Sequence, residues 1–126
     1  MKGFLRERHR EGEKKPTRYY SKKQEDQVAK SLGGKTTKNS GATLFQKGDL
    51  TLDKWLIEAK TKTSHSESMS IKKEWLSKNL SESLFMGKKY NALVFNFGPD
   101  EDNYYIIDEH LFKELVYYLD NKEKEN

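Results

Sequence analysis

The six residues Trp55-Leu56-Ile57-Glu58-Ala59-Lys60 constrain the fold of this chain more than any other stretch. An aromatic, a β-branched and two further apolar side chains in so short a run read as a strand inside a sheet. A strand near Gly48–Leu52 and a turn at Asp53-Lys54 precede it. Side chains alternate along a strand, so Leu56, Glu58 and Lys60 share one face while Trp55, Ile57 and Ala59 share the other. Glu58 and Lys60 then project together, about 6–7 Å apart at the ~3.3 Å rise of a strand. Charges are unusual in such a run. An edge strand with a surface ion pair is one explanation; a functional pair on rigid backbone is the other. With 35% charged residues the acid-x-Lys string also arises by chance, at Glu13-Lys14-Lys15 and Asp120-Asn121-Lys122, but those copies lack apolar flanks.

Length and charge narrow the possibilities. At 126 residues the chain has room for one domain with a modest core. A hydrophobic fraction of 33% implies that part of it lies outside that core, while fifteen aromatic residues argue against wholesale disorder. Without cysteine there is no disulfide framework and no thiolate metal site. No apolar run approaches a membrane span, and the N-terminus lacks a signal-peptide core, which together predict a cytoplasmic protein. Charge is strongly polarised along the chain. Residues 1–20 carry seven Lys/Arg against three Glu, residues 21–97 fourteen Lys against eight acids, and residues 98–126 three Lys against nine acids. A basic body with an acidic end suits a polyanionic partner, nucleic acid above all, met on one side.

Along the chain, residues 1–20 alternate charges without apolar periodicity and read as a flexible basic arm, followed by one domain over 21–120 and a polar tail over 121–126. Ser21-Lys22-Lys23-Gln24 has capping-box spacing, predicting a helix from Ser21 to Leu32 that stops at Gly33-Gly34. Its apolar positions are Val28, Ala29 and Leu32, and Glu25 lies in line with them. A carboxylate there needs a partner or a metal, unless it sits at the stripe's margin and reaches water. Residues 35–47 form a polar loop or short edge strand in which Lys35, Lys38 and Ser40 could meet phosphate oxygens. A Ser/Thr-rich connection containing Lys62 leads to a helix over Ser70–Met86. Ile71, Trp75, Leu76, Leu80, Leu84 and Phe85 are its expected core stripe, with Lys72, Lys73 and Lys78 on its other sides. Tyr90–Phe97 reads as a central strand, Tyr104–Ile107 as its hairpin partner, and Glu109–Leu119 as a last helix burying Leu111, Leu115 and Leu119. This order predicts an α/β fold, a mixed β-sheet flanked by helices.

Asp49, nine positions before Glu58, supplies a second carboxylate. Two acids and a lysine on adjacent rigid strands are the equipment of metal-assisted phosphodiester hydrolysis.

An acid on the first helix, Gly48-Asp49 entering one strand and Glu58-Ala59-Lys60 on the next resembles the PD-(D/E)XK nuclease superfamily, over about Ser21 to Phe97. Within it the chain is most similar to the small Holliday junction resolvases of archaea and phages, with Ser40-Gly41 in place of their Ser- and Gly-containing loop. Gly48 stands where the superfamily's name has Pro. The Gln motif of exonucleolytic relatives is not evident downstream of Lys60. The resemblance implies a restriction-endonuclease-like core and a homodimer making paired nicks in four-way DNA junctions. It also implies Mg²⁺ (or Mn²⁺) held by Asp49, Glu58 and the Ala59 carbonyl. Lys60 would orient or deprotonate the attacking water, and Glu25 would complete the catalytic set. Lys35, Lys38, Ser40, Lys62, Lys72 and Lys73 would be DNA contacts. Rival expectations are a restriction-type or end-processing nuclease of the same fold, a catalytically idle nucleic-acid-binding module, and an RNA-associated basic protein. The short chain leaves little room for a base-reading insertion, the idle module would make Glu58 and Lys60 a structural pair although all four acid/base positions are intact, and the RNA-associated protein leaves the buried charges unexplained.

Overall fold

The computed structural model describes residues 17–36 and 49–125. Expectations for the arm over 1–16 and for Lys38, Ser40 and Gly48 lie outside them.

The first helix, α1 (Thr17–Leu32), begins four residues before the capping-box position, so Thr17–Tyr20 belong to it and not to an arm. Pro16 precedes it in sequence, and proline's fixed φ and missing N–H suit a helix start better than its interior. The helix ends where glycine permits: Gly33 takes φ +73°, and the Gly34 N–H donates to the Ala29 carbonyl at 2.8 Å, the reverse turn that closes a helix C-terminus.

Five strands follow the order β1-β2-β3-β4-β5 across one sheet. They are β1 (Lys35–Thr36), β2 (Asp49–Thr51), β3 (Trp55–Lys60), β4 (Tyr90–Phe95) and β5 (Tyr104–Ile106). The two-residue Asp53-Lys54 turn joins β2 and β3, closed by backbone bonds between Leu52 and Trp55. β3 and β4 run parallel, which requires a crossover, supplied by α2 (Lys73–Phe85). All other neighbouring strands are antiparallel. The mixed α/β sheet expected from the element order is therefore present. β3 has a neighbour on each side, so Glu58 and Lys60 do not lie on an edge strand.

The pairing register sorts side chains onto two faces. Leu50 opposes Ile57, and Ile57 and Ala59 stand beside Ala92 and Val94. With Val28 of α1 these residues form the buried core. On the opposite face, Asn91 donates to Asn79 Oδ1 of α2 at 2.7 Å, and Ser83 Oγ donates to the Lys88 carbonyl at 3.2 Å.

Here the sequence expectation for α2 is overturned. The helix starts at Lys73, with extended Lys72 as an N-cap that makes no side-chain bond, and not at Ser70. Its buried residues are Asn79 and Ser83, while Leu76, Leu80, Leu84 and Phe85, expected in the core, are exposed. The apolar stripe exists but points outward, because small and amide side chains let the helix sit close over a charged sheet face. The last helix, α3 (Glu109–Glu125), also departs from expectation. It runs past Leu119 through most of the supposed polar tail, and only Leu111 is buried; Leu115 and Leu119 are exposed. Among the described residues, no helix is long and apolar enough to cross a membrane.

Candidate active site

Glu58, Lys60 and Asp49 meet on the α2 side of the sheet. Asp49 opens β2 directly opposite Glu58, and side chains so paired share a face with Cβ atoms about 5 Å apart. Asp49 is fully buried, and Glu58 is only 3% exposed. Glu58 Oε1 lies 3.2 Å from the Lys60 ammonium, two residues along the same face. That ammonium also sits 4.4 Å from the centre of the Trp75 ring. A carboxylate on one side and an aromatic face on the other thus fix its position.

A third acid joins them that the sequence did not single out. Glu82 of α2 stands within hydrogen-bonding reach of the Asp49 carboxyl, and its pKa is raised, chiefly by burial and then by the negative charge of Glu58. The only sequence signal for it is helical spacing from Trp75, visible once the polar side of α2 is known to face inward. Sequence reasoning placed Trp75 in the core stripe and gave Lys78, on another side of the helix, no part in the site. Both line a cleft of about 610 Å³ whose floor is Glu58 and Lys60 and whose wall is Glu74, Trp75, Ser77, Lys78 and Ser81 of α2.

The other expected site residues scatter. Glu25 is buried on α1, the helix that packs on the opposite face of the sheet. Its neighbour Gln24 accepts a hydrogen bond from the Thr61 hydroxyl just past Lys60, so α1 does approach the end of β3 that carries the site. Ala59 turns its methyl into the apolar core and can offer the site only its carbonyl. Lys35 is in β1 at the sheet's margin. Lys62 donates to the Ser68 carbonyl at 2.7 Å and holds its own loop together. Lys72 lies 5.9 Å from the Trp75 ring, and Lys73 is exposed in the first turn of α2, both at the cleft's entrance helix. His65, in the same loop as Lys62, bonds Glu101 across Gly98, where a β-carbon would fall 2.7 Å from the His65 backbone. That contact ties the loop to the β4–β5 turn.

Among the described residues, no three His, Cys, Asp or Glu side chains form a cage around a metal position. Magnesium does not need one, since it commonly takes one or two carboxylates and completes its shell with water and substrate phosphate. The donor set suits it: oxygens only, and Glu58 Oε2, buried, has no hydrogen-bond partner. Clustered buried acids whose positive neighbours are Lys60 and Lys78 call for a further proton or cation.

The chain matches no protein-family model, and no curated protein or solved structure shows significant similarity to it.

Proposed function

We propose that this protein is a metal-dependent endonuclease acting on DNA phosphodiester bonds. The observation that carries this reading is the burial of Glu58 beside Lys60 on a central strand, at the floor of a cleft walled by Glu74, Trp75, Ser77, Lys78 and Ser81, with Asp49 buried directly opposite Glu58. Ion pairs of no consequence lie at exposed margins; desolvating a carboxylate costs several kcal/mol and persists where a function or another charge offsets it.

Asp49 and Glu58 would hold a divalent cation, with Glu82 close enough to support Asp49 and the Ala59 carbonyl at hand. When bound, such an ion lowers the pKa of a water and neutralises charge developing at phosphorus. Lys60, steered by Glu58 and Trp75, presents its ammonium to the attacking water and the non-bridging phosphate oxygens. Lys78, Ser77 and Ser81 offer donors to flanking phosphates, contacts that position a strand without reading its sequence. Lys72 and Lys73 add positive charge at the start of the same helix. Glu25 acts from the α1 side, as a support to the end of β3.

Cleavage of four-way junctions is the finer form of the proposal. It rests on the likeness of Glu25, Gly48-Asp49 and Glu58-Ala59-Lys60 to the resolvase pattern, and it requires two active sites acting together. Labelled four-way, flap, linear duplex and single-stranded DNA, each incubated with Mg²⁺, Mn²⁺ or EDTA, tests both levels. Metal-dependent nicking of any substrate supports the nuclease, and symmetric nicks confined to junctions support the resolvase. Tight binding with no cleavage in either metal would instead identify an idle binding module.

A further inference from the structure

A second, smaller crevice lies at the end of the sheet, on the side away from the α2 cleft. It opens where β3 and β4 give way to Thr61 and Asn96, against α1, and its lining includes Lys23, Gln24, Thr61, Lys62 and Asn96. Lys60 turns into the cleft, and the next residue, Thr61, turns toward α1, where its hydroxyl donates to Gln24 Oε1. Gln24 is only 3% exposed, yet its amide nitrogen, fully buried, meets no acceptor in the chain. A buried donor without an acceptor is costly, so a partner from outside the chain is called for.

Size and charge describe that partner. The crevice holds about 10 Å³, room for one oxygen-sized atom and not for a base or a sugar. Two ammoniums belong to its lining. Lys23 is balanced by Asp100 at 2.8 Å, whereas Lys62 donates to the neutral Ser68 carbonyl and keeps its positive charge. Asn96, also buried, accepts the Gly98 N–H through Oδ1 and ties its side of the crevice to the β4–β5 turn. An amide donor beside an uncompensated ammonium, in a space of one atom, suits an anionic oxygen.

We propose that the crevice seats a non-bridging oxygen of a nucleic-acid phosphate neighbouring the one in the cleft, with Gln24 Nε2 as its donor. α/β sheets meet their ligands beyond the carboxyl ends of their strands, and both sites lie at that end of β3. A nucleic-acid strand leaving Lys60 and continuing over the end of the sheet reaches Thr61 and Gln24 next. The contact would set the register of the backbone over the cleft without reading its sequence, so Gln24 is a positioning residue. The inference rests on the nucleic-acid part of the proposed function and not on cleavage.

The side-chain NH₂ resonance of Gln24, followed by NMR in the ¹⁵N-labelled full chain with EDTA present, tests this on the unaltered protein. DNA oligonucleotides should shift it saturably, and inorganic phosphate at the same concentration of phosphate groups should shift it far less. A resonance unmoved by DNA that binds would show that the crevice holds water only, and an equal response to inorganic phosphate would make it a free-anion site; either overturns the proposal. Gln24→Glu keeps an oxygen for the Thr61 hydroxyl but loses the donor. It should weaken DNA binding about tenfold, as expected for a lost hydrogen bond to a charged group, and raise KM more than it lowers kcat. Lys62→Gln, which can still donate to the Ser68 carbonyl, should flatten the log–log salt dependence of duplex binding by about 0.9. Lys30→Gln, in the last turn of α1, makes the same charge change away from the crevice and should leave that slope nearly unaltered. Equal flattening in both would mean diffuse attraction and no site. Binding without cleavage would sink the nuclease and leave the Gln24 shift to decide this inference, whereas a parent chain that binds no DNA would overturn both.

Discussion

The two faces of the central sheet are built on opposite principles. On the α1 face, Leu50, Ile57, Ala59, Ala92 and Val94 close against Val28, and the polar groups buried on that helix are the neighbouring Gln24 and Glu25. On the α2 face, one residue away along each strand, Asp49, Glu58 and Lys60 lie with Glu82, and the helix above them buries Asn79 and Ser83. The first arrangement is favourable wherever it occurs, because apolar area leaves water at about 25 cal/mol per Å². The second is unfavourable taken residue by residue, since each buried charge must be desolvated and several have the same sign. One face therefore holds the fold together, and the other is held in place by it. Carboxylates kept close on rigid strands can meet a substrate without first being organised.

The largest break in this comparison should come from the charged face. Glu58→Ala or Asp49→Asn should reduce cleavage to background while binding of the same DNA stays intact or tightens, since a negative charge has been removed from a site that must meet phosphate. The melting temperature should hold or rise in Asp49→Asn, which removes one buried carboxyl group and keeps a side chain able to bond Glu82. Cleavage at parental rates in either variant would remove these residues from the active site.

Lys60→Ala should lower turnover by about 10²–10⁴-fold, the usual contribution of a positioned acid or base. Lys60→Arg should also be poor, because a guanidinium does not readily give up a proton and is too broad for the space between Glu58 and Trp75. An arginine variant as fast as the parent would show that charge alone suffices at this position.

The apolar face should respond in stability and not in chemistry. Ile57→Ala should cost about 2–5 kcal/mol. At ~4 °C per kcal/mol, where the ranges for smaller and larger domains meet, the melting temperature falls by roughly 8–20 °C. Below that temperature the variant should cleave at near-parental rates. Loss of cleavage in a folded Ile57→Ala would mean the two faces are less independent than the comparison states.

The smallest effect should be at Glu82. Its pKa is raised in the folded protein, so the folded state holds that proton more tightly than the unfolded chain. The associated stability is complete below the ordinary value of 4.5 and is lost as pH rises from there through the raised folded pKa. In EDTA, Glu82→Gln should match the parent at pH 4 and melt a few degrees higher at pH 7. Identical melting temperatures at both pH values would show that neither burial nor the Glu58 charge opposes ionisation of Glu82.

Much of this molecule was determined by local sequence. The Trp55–Lys60 run forms a strand with the expected bounds because its length, β-branching and flanking turn all act within a few residues. The Asp53-Lys54 turn brings Asp49 opposite Glu58 for the same reason: a two-residue hairpin leaves one register. Gly33 ends α1 where a left-handed residue is needed. Three matters waited for the tertiary structure. Periodicity showed that α2 has an apolar and a polar side, but not which side meets the sheet; that choice depends on the charged strand surface 15 or more residues away in sequence. Glu82 belongs to the site only because α2 is turned that way. Likewise, the stripe on α3 is plain in its spacing, yet nothing local says whether its own core or another surface covers it. Periodicity reports that a face must be buried, and only the packing of distant elements decides against what.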